Sequence, residues 1–183
     1  LAWIEDVVGR GAGRSDAIVL HHAHVAAGQG RWDAVARVAE LAAALQPASE
    51  LALESRQQGR AFLETVRKAW HCPALDAFAE GWRGPCAYPV AVGVTAAGHG
   101  IPSAPSTRAY LHAFAANLVS ATVRLVPLGQ TDGQRLIAAL EPLVGTVTDQ
   151  AGWASLDDLG SAVAMSDICA MRHEVQYSRL FRS

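Results

Sequence analysis

Three histidines lie close together near the beginning of the chain, in the sequence HHAH. His21 and His24 are three residues apart, so a helix would bring both imidazoles to one face. Two imidazoles can bind a borderline-soft cation such as Zn²⁺ or Ni²⁺, but no third ligand or supporting partner is evident nearby in the sequence. We therefore predict no metal ligands in the chain and interpret His21, His22 and His24 as surface or half-buried side chains.

The last thirteen residues, MRHEVQYSRLFRS, concentrate groups that bind other molecules well. They include three arginines, a histidine, a tyrosine and a phenylalanine. Arginine binds carboxylates and phosphates through paired hydrogen bonds, and interfaces are enriched in arginine and aromatic anchors. This composition favours a tail that docks on a partner, and we define residues 176–183 as the docking tail. A tail that folds back on its own core and a frayed terminus are the alternatives.

The longest apolar stretch without a charge runs from Ala109 to Val123. It has 15 residues, whereas a membrane-spanning helix needs about 20, so we predict a buried core helix in which His112 is hydrogen-bonded to a neighbour. Buried polar groups must be paired. The polar residues in or beside this stretch are therefore interpreted as satisfied core groups, with a polar passage through the protein as the alternative: Asn117, Ser120, Thr122 and Arg124.

Sequence motifs of common enzyme sites are missing. The chain has no G-x-x-x-x-G-K-[ST], no G-x-S-x-G and no H-E-x-x-H. The glycines of Gly9–Gly13 (GRGAG) follow no predicted strand, so we interpret them as a loop. The three cysteines, Cys72, Cys86 and Cys169, form no C-x-x-C pair, which fits a reduced compartment better than disulfides, and Cys169 is interpreted as a small core residue.

Strand signals are scarce, and helical patterns recur between glycines and prolines. The predicted fold is therefore all-α, a single compact domain of about eight to ten helices over residues 1–183. The predicted helices run from a cap at Ser15 or Asp16 to about Ala27, from Trp32 to Leu45, from a cap at Ser49 to about Trp70, over Leu75–Trp82, from Pro89 to before Gly98, from Ser106 or Thr107 to before Pro127, from Thr131 to about Val144, and from near Ser166 onwards.

The most distinct local signal is a capping box. Thr131 is predicted as the N-cap, Gln134 stands three residues on, and Asp132 lies in the first turn, where a negative charge suits the helix dipole. After that helix, residues 145–158 are predicted as a loop in which Trp153 packs. The last predicted helix carries Ile168, Cys169, Arg172 and Val175 on one side.

Length and charge agree with one domain. Hydrophobic residues make up 51% of the 183 positions, which allows a core, and the formal net charge is −2. This charge gives no reason to expect nucleic acid or an anionic membrane as a partner. Because the chain begins with Leu1, we expect a fragment, a processed form or a trimmed chain.

Three segments resemble the urease accessory protein family UreF. MRHEVQYSRLFRS resembles the family's C-terminal signature, and RLVPLGQTDGQRLIAAL resembles its central segment. SELALESRQQGRAFL is similar to the family's E-x-x-x-E-S-x-x-x-G-R helix, here Glu50, Glu54, Ser55, Gly59 and Arg60. The segments occur in the family's order, and the likeness covers nearly the whole chain. The family's aromatic and glycine-rich front segment is not present, and HHAH is not a family pattern.

The resemblance implies an all-α, non-catalytic cytoplasmic protein without a cofactor. Proteins of this kind are homodimers that act as scaffolds in urease maturation and nickel insertion. They bind the accessory protein UreD (also called UreH) and then recruit the GTPase UreG, which carries nickel to the urease apoprotein. The expected partner-binding residues are Arg172, His173, Glu174, Gln176, Tyr177, Ser178, Arg179, Leu180, Phe181 and Arg182.

Two alternatives to this role stay open. An arginine of the tail, Arg179 or Arg182, would activate or regulate the GTPase by stabilising charge on the transferring phosphoryl group. A direct nickel relay would use His21 and His24, or a polar passage along Asn117–Arg124.

Overall fold

The computed structural model of the chain describes residues 1–176, and all regular elements in that part are helical, which confirms the all-α prediction. Nine α-helices and a short 3-10 helix over Leu156–Asp158 follow one another. The helices are α1 (Ala2–Arg10), α2 (Ala12–Gly28), α3 (Trp32–Ala44), α4 (Ser49–Ala69), α5 (Pro73–Gly81), α6 (Tyr88–Gly98), α7 (Ser103–Leu125), α8 (Gln130–Ala151) and α9 (Ala164–His173).

Helix α2 is the centre of the fold. It packs against α1, α3, α6, α7 and α8, and its most extensive partner is α6. Ile18 and Leu20 are fully buried. The backbones of α2 and α6 approach closely at Gly93, where an added Cβ would lie 2.6 Å from the carbonyl oxygen of Leu20. Because only glycine lacks that atom, Gly93 permits the packing of these two helices.

Helix α4 lies against the beginning of α6. The Tyr88 backbone N–H donates a hydrogen bond to Ser55 Oγ at 3.1 Å, which satisfies a backbone donor at the start of α6. A Cβ added to Gly59 would lie 2.2 Å from the carbonyl oxygen of Cys86. The serine and glycine of the E-x-x-x-E-S-x-x-x-G-R segment thus attach α4 to α6.

Helices α7 and α8 form a pair whose core contains Leu111, Val119 and Leu140. Only one stripe of α7 is buried, so the prediction of a buried core helix over Ala109–Val123 is wrong. His112 is exposed, with its Nδ1 3.7 Å from Glu141 Oε1, and is not a core histidine. Apolar residues occur on every face of α7, so the sequence does not indicate which face is buried.

The front of the chain is more helical than predicted. Gly9–Gly13 is not a loop, because α1 continues to Arg10 and α2 begins at Ala12. An added Cβ on Gly13 would lie 2.8 Å from Val8 Cα, so this glycine allows a tight corner between two helices. Ser15 and Asp16 consequently lie inside α2 and are not its N-caps.

The start of α8 also differs from the prediction. Gly129 occupies the N-cap position, and its backbone N–H donates to Asp132 Oδ2 at 3.4 Å. Thr131 is therefore not the N-cap. Asp132, three residues after the Gly129 cap, accepts the hydrogen bond from the cap's backbone N–H. It therefore has the role in the capping box that was predicted for Gln134.

Helix α8 continues to Ala151, through Pro142 and Gly145, so the predicted loop over 145–158 is wrong for its first half. Val144 and Val147 are buried on this extension, and their burial outweighs the local cost of the proline and the glycine. Trp153, which was predicted to pack, is 93% exposed.

Three smaller corrections concern helix ends and one cysteine. Ala48, not Ser49, is at the N-cap position of α4, and α7 begins at Ser103, before Ser106 and Thr107. Cys169 is exposed, because α9 carries no buried residue.

Candidate functional site

The segment from Gly160 to Gln176, which we call the strap, crosses the body of the protein from α1 and α2 to α4. At its beginning, Ser15 Oγ donates to the Gly160 carbonyl oxygen at 2.8 Å, and the Ala162 N–H donates to the Arg10 carbonyl oxygen at 2.9 Å. At its end, Glu174 and His173 contact α4. The strap is therefore held at both ends.

The contacts at the end of the strap involve the first turn of α4. Glu174 Oε1 accepts hydrogen bonds from the Ser49 backbone N–H and from Ser49 Oγ, the latter at 2.8 Å. His173 Nδ1 lies 2.7 Å from Glu50 Oε2. A carboxylate at a helix N-terminus satisfies free N–H groups and interacts favourably with the helix dipole. The sequence could not reveal this cap, because Glu174 lies 125 residues after Ser49.

Of the predicted partner-binding residues, the structure describes Arg172, His173, Glu174 and Gln176. It brings them together at the end of the strap, where Arg172 and Gln176 are exposed and the other two are partly buried. The remaining predicted residues lie outside the described part of the chain, and with them both arginines of the GTPase alternative: Tyr177, Ser178, Arg179, Leu180, Phe181 and Arg182.

The outward side of the strap is apolar. Met165 is 72% exposed, Val175 is 84% exposed, and Ile168 and Met171 between them are also exposed. Their spacing of three to four residues places them in one stripe, which we call the outer stripe. Contiguous exposed apolar residues mark interaction surfaces, and methionine adapts readily to a partner. Ile168 and Val175 were predicted on one side of the last helix, but their exposure was not, because apolar spacing alone does not tell a buried face from an exposed one.

Beneath the strap lies a large groove of about 810 Å³. Helices α1, α2, α3, α4, α6 and α7 contribute to it, together with Gly160, Ser166, Asp167 and Ala170 of the strap. Most of its surface is apolar or aromatic, and the largest such side chains are Trp3, Leu51, Phe62, Tyr88, Phe114 and Leu118.

One polar pair lies in this groove. Tyr110 Oη donates a hydrogen bond to Asp16 Oδ2 at 2.7 Å. Burial raises the pKa of Asp16 to about 6, although the Tyr110 hydrogen bond opposes the shift. Burial, and then the neighbouring Asp16 charge, hold the pKa of Tyr110 well above its ordinary value. The Tyr110 ring also lies 5.5 Å from that of Tyr88.

Chemically, this pair can hold a proton near neutral pH and accept a hydrogen bond or a positive charge. A shifted pKa in a groove is one mark of a functional surface, and the hydroxyl-bearing residues Ser15, Ser55 and Ser106 line the same groove. No local pattern indicates the pair, because Asp16 and Tyr110 are 94 residues apart.

The polar residues predicted as satisfied core groups do not converge on a passage. Asn117 lines the groove, and Thr122 Oγ1 donates to the Leu118 carbonyl oxygen at 2.9 Å. Ser120 and Arg124 are exposed. A different polar group stands out in the groove, since Thr95 Oγ1 is buried without a hydrogen-bond partner.

The three histidines of HHAH connect α2 to neighbouring segments. His21 Nδ1 lies 2.9 Å from Ser103 Oγ, and His22 Nε2 and His24 Nε2 donate to the carbonyl oxygens of Ala154 and Ile101 at 2.9 and 2.8 Å. Burial, followed by the charges of the two neighbouring imidazoles, lowers the pKa of His21. Residues 1–176 contain no group of three histidine, cysteine or acidic side chains placed to hold a metal ion.

The described helices include none that is both long enough and apolar enough to cross a bilayer. The described residues define an all-α protein with a broad apolar groove and an exposed apolar strap.

Comparison with known proteins gives the family. The sequence profile of the UreF family matches residues 1–141. The chain is 52% identical to the urease accessory protein UreF of Xanthobacter autotrophicus over 181 residues, which are 99% of this chain and 74% of that protein. It is 49% identical to the proteins of the same name from Rhodopseudomonas palustris strain BisB5 and Methylobacterium radiotolerans, over 99% and 100% of this chain and 74% and 80% of theirs.

The chain therefore belongs to the UreF family of urease accessory proteins. This confirms the resemblance found in the sequence. The relatives are named as accessory proteins and not as enzymes, in agreement with the expectation of a non-catalytic chain.

Proposed function

We propose that this chain is a non-catalytic cytoplasmic accessory protein that, together with UreD (UreH), recruits the GTPase UreG for nickel insertion into the urease apoprotein. In this proposal it acts as a homodimer of one-domain subunits, residues 1–183, whose docking tail is 176–183. Family membership supports the role in urease maturation.

The observation that carries the docking role is the outer stripe. Met165, Ile168, Met171 and Val175 are exposed on the strap that leads directly into the docking tail. Full burial of one such side chain contributes about 1.5–3 kcal/mol. A partner that covers the stripe is therefore stabilised by burying apolar side chains that are exposed in the isolated chain. The arginines of the tail then supply directional contacts to the same partner.

The fixed position of the strap supports the same proposal. The bonds from Glu174 to Ser49 and from His173 to Glu50 hold the end of α9 on α4. A partner therefore meets an apolar surface that is already ordered, which lowers the entropy lost on binding.

Co-purification tests the proposal. UreD is expressed with the intact chain, with the double variant Ile168→Asp/Met171→Asp, and with the matched control Leu125→Asp, which also places a charge on an exposed apolar residue. We expect the intact chain and the control to bind UreD and to capture UreG, and the double variant to lose UreD.

A chain that lacks residues 175–183 separates the stripe from the tail. We expect it to remain folded and to fail to capture UreG. If UreD bound the double variant as well as the control, the outer stripe would not be the docking surface. If UreG were still captured without residues 175–183, the tail would have no part in recruitment.

A further inference from the structure

A row of aromatic side chains lines the groove beneath the strap. The ring centroids of Phe62 and Tyr88 lie 5.5 Å apart, and those of Tyr88 and Tyr110 also lie 5.5 Å apart. At the end of the row, Tyr110 donates its hydrogen bond to Asp16. All four residues line the groove, and none of them is fully buried. Helices α4, α6, α7 and α2 therefore contribute one side chain each to an accessible row that ends in a carboxyl group.

The carboxyl group at the end of this row has no cation beside it in the described chain. The described residues give Asp16 one side-chain hydrogen bond, from Tyr110, and no positive charge among them acts on its pKa. Because this pKa is about 6, the group is mostly ionised at neutral pH. Carboxylates that are largely removed from water are ordinarily paired with a positive group. Asp16 is therefore a negative site that a bound cation can neutralise.

The rest of the lining has the same charge preference. Its other charged side chains among the described residues are Glu54 and Asp167, and these residues include no lysine, arginine or histidine. Carboxylates in a largely apolar groove without basic side chains produce a negative potential, which concentrates cations there. Trp3, at one side of the groove, is 52% exposed and adds a further aromatic surface for a cation.

Arginine suits this combination better than lysine does. Its guanidinium is planar, stacks on aromatic rings and forms charge-assisted hydrogen bonds with carboxylates, whereas the ammonium of lysine is compact and strongly hydrated. The groove volume of about 810 Å³ is typical of pockets that bury a whole ligand and not one side chain alone. The rings of Tyr88 and Phe62 lead away from Asp16, and therefore offer an apolar surface to the neighbours of an arginine in a peptide.

We propose that the groove binds a short segment of a partner protein in which one arginine stands between apolar side chains. The guanidinium pairs with the Asp16 carboxylate and stacks on the Tyr110 ring. The apolar neighbours of the arginine lie along the row toward Phe62.

This site is distinct from the outer stripe, because Asp167 and Ala170 of α9 line the groove, whereas Ile168 and Met171 face outward. The inference does not depend on the function proposed above. The two can fail separately, since the tests below contain neither UreD nor UreG.

A peptide titration tests the site on the full chain. The probe is acetyl-Ala-Leu-Arg-Val-Ala-amide, and binding is followed through the backbone amide signals of the ¹⁵N-labelled protein. We expect saturable binding with a Kd below about 1 mM, and shifts centred on the amides of Asp16, Tyr88 and Tyr110. Absence of binding, or shifts centred elsewhere, would overturn the proposal. A Kd that rises with protein concentration would also overturn it, in favour of a second copy as the occupant.

The charge pair is tested by a double-mutant cycle. The second peptide carries citrulline, a neutral isostere, in place of arginine, and the protein variant is Asp16→Asn, which keeps the acceptor for Tyr110. The control variant is Asp149→Asn, at an exposed residue of α8 that does not line the groove. We expect the parent and the control to prefer arginine over citrulline about tenfold, and Asp16→Asn to lose this preference.

An undiminished preference for arginine in Asp16→Asn would show that Asp16 does not hold the guanidinium. The parent chain alone also decides the charge requirement, since equal affinities for the two peptides would overturn the proposal even if the variant failed to fold. A third peptide, acetyl-Ala-Ala-Arg-Ala-Ala-amide, tests the apolar row. We expect it to bind about tenfold more weakly than the first peptide, and equal affinities would show that the row does not contribute to binding.

Discussion

His173 Nδ1 lies 2.7 Å from Glu50 Oε2 and joins the end of α9 to the first turn of α4. Since α9 has no buried side chain of its own, this contact and the Glu174–Ser49 bonds hold one end of the strap. We expect His173→Ala to increase amide hydrogen exchange over residues 167–172, while the global free energy of unfolding falls by less than about 1 kcal/mol.

The matched control for the strap is His112→Ala. His112 is also a histidine near a carboxylate, with its Nδ1 3.7 Å from Glu141 Oε1, but it is more exposed than His173 and lies on α7. It should leave exchange over α9 unchanged. Equal protection of α9 in the parent and in His173→Ala would show that the strap does not depend on this contact.

Gly59→Ala tests the contact between α4 and α6. The new Cβ would lie 2.2 Å from the carbonyl oxygen of Cys86, which is backbone and cannot rotate away. We expect a loss of about 1–3 kcal/mol in the free energy of unfolding by urea. Gly28→Ala is the control, since nothing lies within 4 Å of its added Cβ, and it should be neutral or slightly stabilising. Equal stability of the two variants would contradict the close approach of these helices.

Asp16→Asn tests the buried carboxyl group. Because burial raises its pKa from 3.8 to about 6, the folded state binds the proton more tightly than the unfolded chain does. The stability that Asp16 contributes is therefore complete below about pH 3.8 and is lost as the pH rises through 6.

Asparagine keeps the acceptor for Tyr110 and cannot ionise. We expect Asp16→Asn to match the parent at pH 4 and to exceed its free energy of unfolding at pH 7.5 by up to about 3 kcal/mol. Urea unfolding at pH 4, 5, 6 and 7.5 measures this. A difference that stays constant with pH would show that the carboxyl group does not titrate in this range.

Two substitutions at the start of α8, Asp132→Ala and Thr131→Ala, show which side chain stabilises the helix N-terminus. Asp132 accepts the Gly129 N–H and lies in the first turn, so Asp132→Ala should cost about 0.3–1 kcal/mol. The Thr131 side chain makes no capping bond in the structure, so Thr131→Ala should change stability by less than about 0.5 kcal/mol. Thermal unfolding of both variants distinguishes them, and a larger loss at Thr131 would restore it as the cap.

The sequence predicted helices where glycine or proline marks their ends. Helices α3, α5 and α6 lie close to their predicted bounds for this reason. The same rule failed at Gly145, because the burial of Val144 and Val147 is a tertiary effect that local propensity does not contain.

The candidate site was predicted only where it is local in sequence. The strap contains the residues Arg172, His173, Glu174 and Gln176, which the resemblance had singled out. Its partners Ser49 and Glu50, and the Asp16–Tyr110 pair of the groove, lie about 90 to 125 residues from the groups that they contact. No periodicity or motif connects side chains over such separations.

The central position of α2 has a consequence for the order in which the chain acquires structure during synthesis. Its main partner, α6, begins 60 residues after the end of α2. At about 5–20 residues per second, a ribosome needs several seconds to add that stretch. The apolar side chains of Val19 and Ala23, which share a core cluster with Val90 and Val94 of α6, therefore stay without that part of their native cover in the nascent chain.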